Sequence, residues 1–316
     1  MMRAVRIGGI TRAEDVRLTE VPVPRTAPGW VLVRIRAFGM NHSEKILRLG
    51  EIEEDYIARP VIPGIECVGE IEDPSDTSFS KGDRVIAMMG GMGRSFDGSY
   101  AEYAVLSAHH VFKVDTDLPW EELAAIPETY LTAWGSLFEC LRLRLGERLL
   151  IRGATCALGY AAIDIAKAMG CTVVATTHRE SKLALLNNAD EAVLDDGNLS
   201  ETIDKVDKAL DLVGPKGLLD TLRCVSKGGI VCDTGILGGV FELNGFDPIK
   251  DIPNGVYLTG YFSNYPTQEL VDSIFEFIRE HSLHPTYARC FDFDDIREAC
   301  IALDEGRVNG KIVVRI

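Results

Sequence analysis

One run, Leu149 to Lys182, limits the folds open to this chain more than any other. It reads LLIRGATCALGYAAIDIAKAMGCTVVATTHRESK. Leu149, Leu150 and Ile151 form an apolar burst that runs into a small-residue turn, Gly153 to Ala157. Ala161, Ala162, Ile165 and Ala166 then recur at three- and four-residue steps, so one helix face can lie on a sheet. Gly170 is placed to close that helix, because glycine takes positive φ without strain. A second apolar run, Thr172 to Ala175, ends in polar residues. Strand, tight turn, helix and strand within about thirty residues make the βαβ unit of a dinucleotide-binding fold.

The rest of the chain leaves room for more than this unit. At 316 residues it can build two domains with substantial cores. A net charge of −15 argues against nucleic acid or an anionic membrane as the main partner, since both repel an acidic surface. An anionic cofactor must then be met by local dipoles and a few placed cations. The eight cysteines are scattered and form no CxxC pair, so a zinc ribbon is not expected. Most sit in apolar runs and read as buried thiols rather than disulfide partners. The N-terminal stretch lacks the apolar core of a signal peptide, and no apolar run is long enough to span a bilayer. A reducing, cytoplasmic setting is the default expectation.

Taken in order, residues 2–40 cluster β formers, with turns at Gly8-Gly9 and Ala27-Pro28-Gly29. Residues 41–50 read as a short helix ended by Gly50. A strand is expected within residues 59–72, another after the Lys81-Gly82-Asp83 turn, and another over residues 99–106. Residues 90–98 are Gly-rich and read as a mobile loop. The first 120 residues are therefore mainly β, without βαβ alternation. Helical pattern begins near residues 121–125 and 131–140. Strands are then expected near 149–153, 172–176, 191–194, 208–213, 229–234 and 256–261, forming an open parallel sheet. An amphipathic helix from Gln268, a strand around 288–293, a helix over 294–303 and a last strand close the chain.

Six short motifs, in this order, resemble the medium-chain dehydrogenase/reductase superfamily, and within it the zinc-independent quinone oxidoreductase branch. They are Gly39-Met40-Asn41, the run Pro63 to Gly69, Gly82 to Val85, Gly98 to Tyr103, Leu131 to Trp134 and Asn309 to Val313. The resemblance covers essentially the whole chain. It implies an α/β protein with a GroES-like, mainly β catalytic domain at 1–120, completed by 265–316. A Rossmann doubly wound domain at 121–264 would bind the cofactor.

Zinc alcohol dehydrogenases of this superfamily bind their catalytic metal with Cys, His and Cys. Those positions fall here at Asn41, Ile65 and Glu128. An amide and an isoleucine do not replace a thiolate and an imidazole, and the four-cysteine structural-zinc lobe is also absent. No metal is expected. A new site built from His42, Glu66 and Glu128 is the alternative; the preferred reading makes Glu66 a buried structural carboxylate and Glu128 a pocket-lining or helix-capping residue. Without a Lewis acid, hydride donation to a polarised acceptor, such as a quinone or an enone, is easier than oxidation of an alcohol.

The glycines of the G-x-G-x-x-G fingerprint fall at Ala154, Cys156 and Gly159, so only the last survives. A Cβ at Cys156 crowds a pyrophosphate lying against the backbone. The helix N-terminus, from Ala157 and Leu158, still offers N–H groups and a positive dipole end, and Thr155 adds a hydroxyl. The second strand ends Thr176-Thr177-His178-Arg179, with Lys182 following, where an NAD-reading site carries an acidic residue. Arg and Lys hold a 2′-phosphate that a carboxylate repels, which points to NADPH over NADH. The other reading of these two cations is ordinary solvated charge at a helix start.

The resemblance supplies the remaining site residues. Thr132 matches a position near the nicotinamide ribose. Leu212 and Val213 follow the fourth strand of the parallel sheet, Gly235 and Ile236 end the fifth, and Tyr261 and Ser263 follow the sixth. Asn309 and Lys311 match a terminal motif that closes over the cofactor, and His42 a position facing the pyrophosphate. Asn41 is expected to donate a hydrogen bond to a developing oxyanion, and Ser43 to pass a proton. The expected partners are a small quinone or enone and a second copy of the chain, as a homodimer formed through edge strands. A non-catalytic NADPH-binding relative, serving as sensor or structural protein, stands as the alternative, favoured by the damaged glycine turn.

Overall fold

Strand pairing in a computed structural model, which describes residues 1–316, divides the chain into two kinds of sheet. In chain order the strands are β1 (Met2–Val5), β2 (Leu18–Val21), β3 (Trp30–Met40), β4 (Glu66–Asp73), β5 (Arg84–Met88), β6 (Tyr103–Ser107) and β7 (Val111–Lys113). There follow β8 (Arg148–Arg152), β9 (Thr172–Thr177), β10 (Glu191–Leu194), β11 (Val206–Asp211), β12 (Val225–Asp233), β13 (Tyr257–Gly260), β14 (Arg289–Asp292) and β15 (Ile312–Arg315). Two compact units result: residues 1–128 with 264–316, and residues 129–263.

In the first unit β1 and β2 pair as an antiparallel ribbon, and seven strands join in the order β14-β15-β3-β4-β5-β7 with β6 on β3. Alternating apolar residues of β3 (Val31, Val33, Ile35) feed one core with Phe38, Ile71, Val85, Tyr100 and Phe291. Within it the rings of Phe38 and Tyr100 stack at 4.7 Å. The register of the last strand matters most for chemistry. β15 runs antiparallel to β3, with Ile312 opposite Met40 and Val313 opposite Gly39. That pairing delivers Lys311 beside Asn41 from 270 residues away in sequence. Residues 121–128, placed with the second domain by the sequence pattern, fall in this first unit. The reason is local: Arg84 lies over the Trp120 ring at 3.8 Å, and Arg315 pairs with Glu121 at 3.0 Å.

The second unit is a six-stranded parallel sheet ordered β10-β9-β8-β11-β12-β13. The order steps outward in both directions from β8, the doubly wound arrangement. Its core strands are apolar on both faces, as in Leu149–Ile151 and Val173–Ala175. The helix Ala157–Ala168 follows β8, capped by Cys156, and Gly170 takes φ +74° just past its end. Residues 131–140 do not form one α-helix: Pro127–Trp134 is α-helical and Gly135–Cys140 winds as a π-helix. After β9, residues 180–186 form 3-10 turns. No helix is long and apolar enough to cross a membrane.

Candidate functional site

The first unit buries a polar cluster at the junction of β3, β4 and β15. Asn41 ends the extended β3 segment and starts the helix His42–Leu49. Its backbone N–H donates to Glu44 Oε2 at 2.6 Å, and Glu44 Oε1 accepts from Ile65 N at 3.2 Å. Its side-chain Nδ2 donates to Glu66 Oε1 at 2.8 Å, and its Oδ1 accepts from Lys311 Nζ at 2.8 Å. Lys311 also donates to Glu66 Oε1. The second oxygen of Glu66 accepts from Glu128 N at 2.8 Å, at the start of the helix Pro127–Trp134.

The amide orientation of Asn41 follows from its neighbours. An ammonium can only donate and a carboxylate can only accept, so Oδ1 faces Lys311 and Nδ2 faces Glu66. One N–H of Nδ2 remains beyond the Glu66 bond. Glu44 and Glu66 are fully buried and Lys311 is 3% exposed, so these groups interact outside water's screening. Burial pushes the Glu44 carboxyl above its usual range, partly offset by Arg94. Gly39 allows the close approach. A Cβ there would lie 2.3 Å from Lys311 Cε, 2.5 Å from Glu66 Oε1 and 2.8 Å from the Ala124 carbonyl oxygen. Glu66 is the buried carboxylate expected from the sequence, whereas Glu44, equally buried, had no sequence signal beyond the close approach that Gly39 permits.

The other sequence-derived residues of this unit lie at varied depths. His42 is exposed on the first turn of its helix. The Ser43 hydroxyl is buried with no hydrogen-bond partner. Asn309 Oδ1 is likewise buried and unpartnered. The three positions that hold zinc in the alcohol dehydrogenases carry Asn41, Ile65 and Glu128, and both Glu66 oxygens are already bonded. No group of three or more His, Cys, Asp or Glu is arranged to hold a metal ion. The donor set does not fit zinc.

In the second unit the candidate cofactor residues gather at the C-terminal ends of the parallel strands, where open α/β sheets bind ligands. Gly153 takes φ +78° and turns the chain out of β8. Gly159 packs against the strand: a Cβ there would lie 2.2 Å from the Ala154 carbonyl oxygen. Between them the Cys156 thiol caps the helix, accepting from Gly159 N at 3.4 Å and donating to the Gly153 carbonyl at 3.6 Å. Thr155 and Thr177 bond through their hydroxyls at 3.1 Å, tying the turn to the end of β9. Thr177 Oγ1 also accepts from Arg179 N at 3.3 Å. Arg179 is exposed, with its Nε 3.3 Å from His178 Nε2. Lys182 is half-buried; burial and the charge of Arg179 hold its pKa below the usual lysine range. Ala157 and Leu158 open the helix.

The neighbouring loops close on the same edge. Gly153 packs on Val213, and Gly235 on Leu212, whose carbonyl oxygen a Cβ at Gly235 would meet at 2.3 Å. Ile236 follows, half-buried. Thr132 and Ser263 are buried, and the Tyr261 ring lies against Gly135. Beneath these loops sits Arg152, 2% exposed. It grips Asp195 through Nε at 2.7 Å and Nη2 at 2.8 Å, and through Nη1 reaches the Gly217 carbonyl at 2.8 Å, Asp220 at 3.0 Å and Thr221 at 3.1 Å. Sequence reading passed over Arg152, whose strand context reads as an ordinary interruption of an apolar run.

Comparison with known proteins places this geometry among known folds. Residues 27–116 match the model for the alcohol dehydrogenase GroES-like domain, and residues 186–314 that for a zinc-binding dehydrogenase. The chain is 32% identical to the quinone oxidoreductase of Rattus norvegicus over 77% of its own length and 76% of that protein. It is 33% identical to the quinone oxidoreductase of Homo sapiens, over 69% of this chain and 64% of the human protein. A solved NAD-dependent alcohol dehydrogenase superposes with a TM-score of 0.86 at 25% identity, covering all of both chains.

Proposed function

This chain belongs to the quinone oxidoreductase-type family of the medium-chain dehydrogenase/reductase superfamily, and on that premise we propose that it is an NADPH-dependent, zinc-independent reductase of quinones or α,β-unsaturated carbonyls. The observation that carries this reading is the non-metal polar cluster at Asn41 in the first unit, and the cations Arg179 and Lys182 after the second strand of the parallel sheet support the choice of nucleotide.

The nucleotide would be held by the strand ends of the second unit. The turn fits a dinucleotide in part: Gly153, Gly159 and the helix start support it, while the Cys156 thiol occupies space that a glycine would leave open. A superposing alcohol dehydrogenase is NAD-dependent; the choice of NADPH here rests on Arg179 and Lys182, which suit a 2′-phosphate. When bound, the nicotinamide supplies a hydride. Asn41, fixed by Lys311 and Glu66, would donate its remaining N–H to the acceptor's developing oxyanion. The unpartnered Ser43 hydroxyl would hold or pass the proton that completes reduction. The substitution of metal ligands by Asn41 and Ile65 supports chemistry without a Lewis acid. Eight free cysteines fit a reducing, cytoplasmic setting, and the edge strand β13 fits a homodimer.

NADPH oxidation measured with a panel of small quinones and enones tests the activity; turnover with none of them sinks it. Arg179→Ala should lower the NADPH-to-NADH ratio of kcat/KM by about tenfold or more, the worth of one charged hydrogen bond. The capping thiol of Cys156 favours the second reading, a non-catalytic NADPH-binding protein. That reading predicts NADPH fluorescence quenching without turnover on the panel.

A further inference from the structure

We propose that Cys140 and Cys232 form a hydroperoxide-sensitive dithiol, an oxidation site in the second unit separate from the nucleotide turn. Cys232 lies on β12, whose register sets it opposite Thr259 on β13 and the next residue, Asp233, opposite Gly260. Cys140 ends the π-helix Gly135–Cys140, and its thiol reaches the Gly260 carbonyl at 3.5 Å. The two thiols therefore lie on one strand pair, a single residue step apart in its register. Hydroxyls complete the cluster. Thr234 Oγ1 lies 3.2 Å from Cys232 Sγ and 3.0 Å from Ser136 Oγ, one helical turn before Cys140. All eight cysteines of the chain are free.

The two sulfurs differ in access. Cys232 is fully buried, while Cys140 is half-buried at the end of its segment. Burial pushes the Cys232 thiol up to about 12, so it keeps its proton. Cys140 is thus the sulfur that meets the oxidant. Its thiolate attacks the distal oxygen of the hydroperoxide. A sulfur–oxygen bond forms, the O–O bond breaks, and the other oxygen leaves as water or an alcohol. The Cys232 sulfur then attacks the sulfenic sulfur; the S–S bond forms and the hydroxyl leaves as water, carrying the Cys232 proton. Two thiols are oxidised by two electrons, and one peroxide is reduced. The product ties the π-helical segment to the end of β12, just before Gly235 and Ile236.

The test uses the native full chain. It is treated with hydrogen peroxide, quenched with catalase, alkylated with N-ethylmaleimide in denaturant, and digested for peptide mass spectrometry. The expected product is a Cys140–Cys232 cross-linked peptide 2 Da lighter than the sum of its parts, with six of eight thiols still alkylated and all eight after dithiothreitol. In Cys232→Ser, Cys140 should stop at the sulfenic acid and be trapped by dimedone. Full alkylation of both residues after peroxide overturns the proposal. So does oxidation of Cys140 to the sulfinic acid in the wild type while Cys232 stays free.

Discussion

Two buried charge networks, one in each unit, look alike in composition and differ in what they leave over. Around Arg152, the guanidinium Nε, Nη1 and Nη2 donate to carboxylates, a carbonyl and a hydroxyl, and Asp220 in turn accepts from Leu199 N and the Ser200 hydroxyl. That network is closed: it ties β8 to Asp195, which follows β10, and to the start of the helix Leu218–Cys224, and has no capacity for a reagent. Around Glu66 the bonds also satisfy the charges, yet an Asn41 N–H and the Ser43 hydroxyl are left without a protein partner. A closed network holds a fold in one shape, and an open one holds donors in place for something else. On the proposed function, this difference makes the Asn41 cluster the candidate for chemistry and the Arg152 cluster a scaffold.

The largest expected effect tests the scaffold. Arg152→Met leaves Asp195 and Asp220 buried without their cation and should cost about 3–5 kcal/mol in chemical denaturation. A loss within the usual range of a surface change would break the comparison from that side. Asn41→Ala removes the oriented donor and should lower turnover on the order of 100-fold, leaving NADPH affinity unchanged. If stability falls and turnover does not, the cluster is scaffold as well. Gly39→Ala forces a methyl against Lys311, Glu66 and a backbone oxygen, and should destabilise by about 1–3 kcal/mol. Its damage should reach turnover too, since it displaces the pair that orients Asn41. Gly39→Ala with wild-type turnover would show that this pair does not set the amide.

The smallest effect sharpens where the closed network ends. Asp233, at the end of β12, has a buried Oδ1 with no partner, and burial with the nearby charge of Asp211 pushes its carboxyl from 3.8 up to about 7. The folded state therefore keeps this proton at pH values where the unfolded chain has lost it. Its contribution to stability is present below about pH 4 and is lost as pH rises through about 7. Relative to Asp233→Asn, the wild type should lose stability as pH is raised across that window. Parallel pH profiles for the two proteins would remove Asp233 from the account.

Sequence by itself determined the parts whose causes are local. The apolar period of residues 149–175 requires a strand, a helix and a strand, and β8, the helix Ala157–Ala168 and β9 lie where that period puts them. Glycines at 153, 159 and 170 could be read as turn, packing and cap because each answers to its own backbone. The departure of Asn41, Ile65 and Glu128 from a metal-binding pattern was equally legible, since ligand chemistry belongs to residue type. Tertiary structure alone decided what those residues face. Lys311 reaches Asn41 and Glu66 only because β15 returns antiparallel to β3 in one register, and a slip of one residue would turn it to the other face. Arg152 reads as a polar break in an apolar strand until Asp195, after β10, and Asp220 and Thr221, on the helix Leu218–Cys224, close over it. Cys140 and Cys232, 92 positions apart, reach one strand pair only through the pairing of β12 with β13. Long-range partners are set by strand order and register, which no local window of sequence contains.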